Sequence, residues 1–157
     1  MKTLTLAALT ALFGLVTAAT AQPRAIERVD FRNGTVVFDK QTYRLKNGQL
    51  AAPNKTDSVL RISIDKPVFG YIDGYPGELA LVFVHAHDYG ATGSFSELNL
   101  FGLHGGKPVL IADLPGGDRA EGGFHTATIS ARRLVVEVYA PPAGGGVCCP
   151  EIGRAHV

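Results

Sequence analysis

Beyond Gln22 no segment of the chain sustains a helical apolar period over three turns, which excludes a core built from packed helices. What recurs instead is a short run of alternating apolar and polar residues, closed by a turn rich in glycine, asparagine or proline. Asn33-Gly34 sits between the strand-like halves of VDFRNGTVVFDKQTYRL, and Asn47-Gly48 repeats the device in YRLKNGQL. Both dipeptides tolerate the positive φ that a two-residue hairpin demands. AAPNKTDS, residues 51–58, reads as a polar loop with room for one short helical turn.

The most apolar stretch after the leader is ELALVFVHAH, residues 78–87. Successive strand residues point to opposite faces, so Leu79, Leu81 and Phe83 line one face and Ala80, Val82 and Val84 the other. With both faces apolar it reads as a central strand. SELNLFGL, KPVLIADL, HTATIS and RRLVVEVYA follow as further strands, with turn signals at Gly105-Gly106, Pro115-Gly116-Gly117 and Ala131-Arg132. The expected fold is all-β: a mainly antiparallel meander, sandwich or open barrel.

The two ends of the chain read differently from its middle. Lys2, the apolar stretch Leu4 to Val16 and Ala19-Thr20-Ala21 form a signal peptide over residues 1–21, cleaved near Ala21. Its apolar run is too short to span a bilayer, and no second span follows, so the expected location is periplasmic or secreted. At the other end, residues 152–157 are what ATC GGA AGA GCA CAC GTC encodes, a string that looks like a common sequencing adapter. Residues 151–157 are therefore expected to be read-through, with the native chain continuing past Pro150. That leaves residues 22–150, about 130, as a single β-rich domain.

Of the 15 Lys+Arg and 14 Asp+Glu, Lys2, Arg154 and Glu151 lie in the leader and tail, leaving 13 of each sign. A balanced core has no electrostatic footprint for nucleic acid.

FGYIDGYPGELALV, SFSELNLFGLHGGKPVLIADLPGGDRAEGG and RRLVVEVYAPPAGGGVCCP together resemble a group of uncharacterised secreted bacterial proteins. Members carry a GDLDGDGREEALV-like strand, a GKPVLLxxLxGGDRA-like hairpin and a CCP segment followed by further strands. The resemblance covers about residues 68–150 and implies truncation but no activity. ATGSFSELNLFGLHGGKPVL is more weakly similar to mycobacterial lipoproteins of the LppP/LprE type. The DxDG stretch of the relatives itself resembles the calcium loops of FG-GAP repeats. Here only Asp73 and Glu78 remain as carboxylates in that loop, while calcium takes about six to eight oxygens, so the loop reads as a degenerate cation site.

Three further features could carry chemistry. His85-Ala86-His87 puts two imidazoles on one strand face with Asp88 beside them, a start toward a zinc or copper site that needs a third ligand such as His104 or His125. Cys148 and Cys149 are adjacent, and export favours their oxidation; a vicinal disulfide, pairing with cysteines beyond Pro150 and free thiols all remain open. Asp113 and Asp118 flank LPGG and read as turn residues rather than a catalytic pair. No serine lies in a nucleophile elbow, and no glycine run has the phosphate-loop pattern.

The reading from sequence is an exported, non-enzymatic binding or structural domain of the bacterial envelope, with an unknown envelope partner and no assigned cofactor. The alternative is a periplasmic metal-binding protein using His85 and His87, with Cys148 and Cys149 as redox-active or soft-metal thiols. Zinc or copper would serve it, and calcium is the weaker candidate.

Overall fold

A computed structural model describes residues 25–50, 60–88, 93–140 and 151–156. The protein is all-β, with 66% of the described residues in strands, and its larger antiparallel sheet curls until it is nearly closed into a barrel. Three short 3-10 turns, Ile26–Arg28, Phe31–Asn33 and Arg119–Glu121, supply the helical content.

The larger sheet starts with β1 (Thr35–Phe38) and β2 (Gln41–Lys46), then β3 (Gln49–Leu50), β4 (Leu60–Ile64), β5 (Val68–Gly70), β6 (Leu79–Asp88), β7 (Ser94–His104) and β8 (Lys107–Asp118). Its hydrogen-bonded order is β1-β2-β3-β4-β6-β7-β8, with β5 beside the first half of β6. β4 and β5 meet the same edge of β6 one after the other, broken at Asp65–Pro67. A proline has no N–H for the ladder, which accounts for a break there. β9 (Phe124–Ser130), β10 (Arg133–Ala140) and β11 (Glu151–His156) form a second antiparallel sheet with β10 in the middle.

β6 is central, as its two apolar faces require. Leu79, Leu81 and Phe83 join Leu98 and Leu100 of β7 in a core closed by Leu134 and Val136 of β10. Ala80, Val82, Val84 and Ala86 join a second core inside the curled sheet, with Val36, Leu45 and the 3-10 residues Ile26 and Phe31. One strand pair thus forms the shared wall of two cores.

Two turn readings are corrected. Asn33-Gly34 is not a hairpin turn: VDF does not form a strand, Asn33 ends a 3-10 turn, and its amide Nδ2 donates to Asp30 Oδ2 at 2.7 Å. The β1–β2 turn is Asp39-Lys40, with φ of 47° and 61° at two non-glycine residues. Pro115-Gly116-Gly117 is not a turn either; it lies inside β8, where the pairing with β7 skips Gly116. β8 has a second such skip at Ile111. A residue inserted in one strand bends and twists it, so two bulges coil this edge strand without ending it. Asn47-Gly48, Gly105-Gly106 and Ala131-Arg132 are hairpin turns with positive φ at both residues. Residues 51–58 lie outside the described residues.

Residues Glu151–His156, set aside as tail in the sequence reading, pair along β10 from Ala140↔Glu151 to Val135↔His156. Backbone ladders are made by N–H and C=O groups common to all residues, so this pairing is no measure of whether the segment is native. Among the described residues no helix is long and apolar enough to cross a membrane.

Candidate functional site

The site is built where β1 folds over β7. In a two-residue hairpin the residues next to the turn bond each other, so the peptide groups of the preceding pair point away from the partner strand. Val37, one step before that position, therefore presents its N–H and C=O outward from β2. The side chain of Asn99 on β7 takes both: Val37 N–H donates to Oδ1 at 2.7 Å, and Nδ2 donates to the Val37 carbonyl at 3.0 Å. Asn99 is 0% exposed, and its amide substitutes for a strand rung.

Glu97 lies two residues before Asn99 and shares its face. Its Oε2 accepts the Asp39 N–H at 3.0 Å, holding the β1–β2 turn down. Among the described residues its other oxygen has no hydrogen-bond partner, and the carboxyl borders a cleft of about 390 Å³. Phe38 and Phe95 line this cleft together with Pro115 and Gly117 of β8, the register partners of Glu97 and Ser96. Glu97 is only 3% exposed. Burial, the largest cause, raises its pKa above 4.5; the Asp39 N–H opposes the rise, and the negative charges of Asp113 and Asp39 add to it.

Between Pro115 and Gly117, Gly116 makes a close approach. A Cβ on Gly116 would lie 2.5 Å from Phe124 Cδ2 and 2.7 Å from Ser96 Oγ. Glycine at this bulge lets β9 begin against β7, where the Phe124 N–H donates to Ser96 Oγ at 2.8 Å. The Ser96 hydroxyl is thereby engaged as an acceptor in the joint between the sheets.

The residues singled out from sequence are not gathered around this cleft. His85 Nε2 lies 2.9 Å from Asp65 Oδ2, and the ring stacks on Phe83 with centroids 4.5 Å apart. His87 is exposed two residues on, and Asp88 pairs in register with Leu60. His104 is at the other end of β7 from Ser94, which pairs with His87; ten residues of strand separate them, about 30 Å. His125 belongs to the second sheet, edge-on to Tyr139 and 3.8 Å from Glu137. Among the described residues no three His, Cys, Asp or Glu side chains are grouped to hold a metal ion.

Asp73 accepts a hydrogen bond from Arg132 Nε and donates its own N–H to the Arg132 carbonyl at 2.9 Å. The degenerate loop is thus latched to the β9–β10 turn through the carboxylate that a cation would need, while Glu78 stands half-buried at the foot of β6. Asp118 caps the 3-10 turn after β8, accepting the Ala120 N–H at 2.7 Å. Arg119, the next residue, packs over the Tyr139 ring, 5.8 Å from its centroid. Cys148 and Cys149 lie outside the described residues.

Sequence reasoning missed Glu97 and Asn99. In SELNLFGL they alternate with Ser96, Leu98 and Leu100, the pattern of a strand with one wet face. The available signal was the partner strand: ELALVFV is apolar on both faces, so a polar row beside it has to be covered.

No protein-family model, curated protein or solved structure matches this chain. The resemblance of residues 68–150 to secreted bacterial domains therefore rests on its motifs alone.

Proposed function

We propose that this chain is an exported, non-enzymatic binding domain of the bacterial envelope, and that the cleft between β1 and β8 is its ligand site. The observation that carries this reading is Glu97, a nearly buried carboxyl that lines a cleft together with Phe38 and Phe95. Concave, mostly apolar sites with a few fixed polar groups are how proteins hold small molecules. Export is supported by Lys2, the apolar run to Val16 and Ala19-Thr20-Ala21.

Mapping backbone amide shifts while small molecules of mixed charge are added tests the reading. Saturable shifts at Phe38, Asp39, Phe95 and Glu97 support it. A hydrolytic or redox activity of the pure protein, abolished by one substitution, would replace it with an enzyme.

A further inference from the structure

We propose that the cleft selects a small organic ammonium, its cationic nitrogen against Glu97 and its apolar body between Phe38 and Phe95. This rests on the binding reading above and adds the chemistry of the ligand.

The charges around Glu97 have one sign. From the β1–β2 turn it faces Asp39, and from β8 it feels Asp113; its register partner on β6 is Val84. The described lining residues include no Lys, Arg or His. An anionic ligand would therefore meet the carboxyl groups of Glu97 and Asp39, with the charge of Asp113 adding to theirs, and no cationic side chain among the described lining residues. A neutral apolar ligand would drive out water and leave the second Glu97 oxygen buried without a partner, a penalty that is larger for a charged group than for a neutral one. A bare metal ion would find too few donors, because no three acidic, imidazole or thiol side chains are grouped among the described residues.

An ammonium resolves each conflict. It donates to the unpartnered oxygen and offsets the repulsion from Asp39 and Asp113. The aromatic walls then take the stem, and ring faces attract cations as well. A volume of about 390 Å³ suits a single small molecule rather than a polymer chain.

The test is a titration of the full chain at pH 7 and low salt with three probes of one shape: phenethylamine, 2-phenylethanol and 3-phenylpropionate. Phenethylamine is expected to shift the amides of Phe38, Asp39, Phe95 and Glu97 saturably, with 3-phenylpropionate leaving them in place. Glu97→Gln should weaken the amine at least about tenfold, the scale of one charge-assisted hydrogen bond. In the unaltered protein the amine should also bind more weakly as pH falls and Glu97 takes up a proton, a readout that does not depend on the variant folding.

If the alcohol or the carboxylate saturates the same amides as tightly as the amine, the cleft binds ligands but the ammonium assignment is wrong. Unchanged amine affinity in Glu97→Gln overturns it as well. If no probe moves the cleft amides, the assignment and the binding reading fail together.

Discussion

The two faces of the β6–β7 pair are closed by different physics. Toward β9 and β10 the contact is side chain on side chain, with leucines 79, 81, 98 and 100 against Leu134 and Val136. Toward β1 the apolar packing of Val36, Val82 and Val84 is supplemented by side chains that bond the backbone of the covering strand, Asn99 to Val37 and Glu97 to Asp39. The first kind of closure tolerates small slips, because dispersion and burial are not directional. The second fixes one register, because an amide must meet one N–H and one C=O. It also leaves a gap at its end, where the second oxygen of Glu97 has no partner among the described residues.

Adjacent residues of β7 allow a direct comparison of the two faces. Leu98→Ala should cost about 3–4 kcal/mol, because Leu98 is fully buried and the cavity cannot fill completely. Urea unfolding measures this, and a cost below about 1 kcal/mol would mean the apolar face is loosely packed. Asn99→Leu should cost about 2–3 kcal/mol by stranding both polar groups of Val37. Its more telling signature is local: amide exchange across β1 should accelerate while β9 and β10 stay protected. Uniform acceleration would show that the two faces do not separate.

Gly116→Ala addresses the joint between the faces. The added methyl meets the Phe124 ring at 2.5 Å, and the resulting strain should lower stability by about 1–3 kcal/mol. Melting indistinguishable from the parent would show that β9 can shift freely.

Glu97→Gln has the smallest expected effect at neutral pH, with a distinct pH dependence. A carboxyl whose folded pKa is raised contributes stability that is fully present below the unfolded value of about 4.5 and is lost as pH rises through the folded value. The glutamine cannot ionise, so its stability relative to the parent should improve as pH climbs from 4.5 upward. A parent that gains on the variant over that range would mean the Asp39 N–H outweighs burial. Finally, zinc added in excess should not survive dialysis in stoichiometric amount, since His85 is engaged by Asp65 and no third ligand is near among the described residues. Retention that disappears in the His85→Ala/His87→Ala double variant would restore the metal-site alternative.

How far each closure was legible follows from its physics. The two apolar faces of β6 could be read from ELALVFV because burial leaves a compositional trace. Asn47-Gly48 and Gly105-Gly106 were legible as hairpin turns because positive φ has a residue preference. Asp39-Lys40 adopts the same geometry without glycine, held partly by Glu97, 58 residues away, and no local signal could announce it. The coil of the edge strand β8 comes from the skips at Ile111 and Gly116, which appear only once the strands are paired. The His85–Asp65 contact spans 20 residues for the same reason.

The skips in β8 also bear on what happens at its open rim, which among the described residues faces no other strand. A second molecule can extend a sheet only by zipping onto an unbroken row of alternating donors and acceptors. Between the skipped residues Ile111 and Gly116, β8 offers four residues, the last of them Pro115, and Pro108 interrupts the row near its start. Val109 and Ile111 are the exposed apolar residues on this strand, yet the backbone beside them cannot template a neighbour's strand. The distortion beside the cleft therefore also discourages fibre growth from the longest of the described strands.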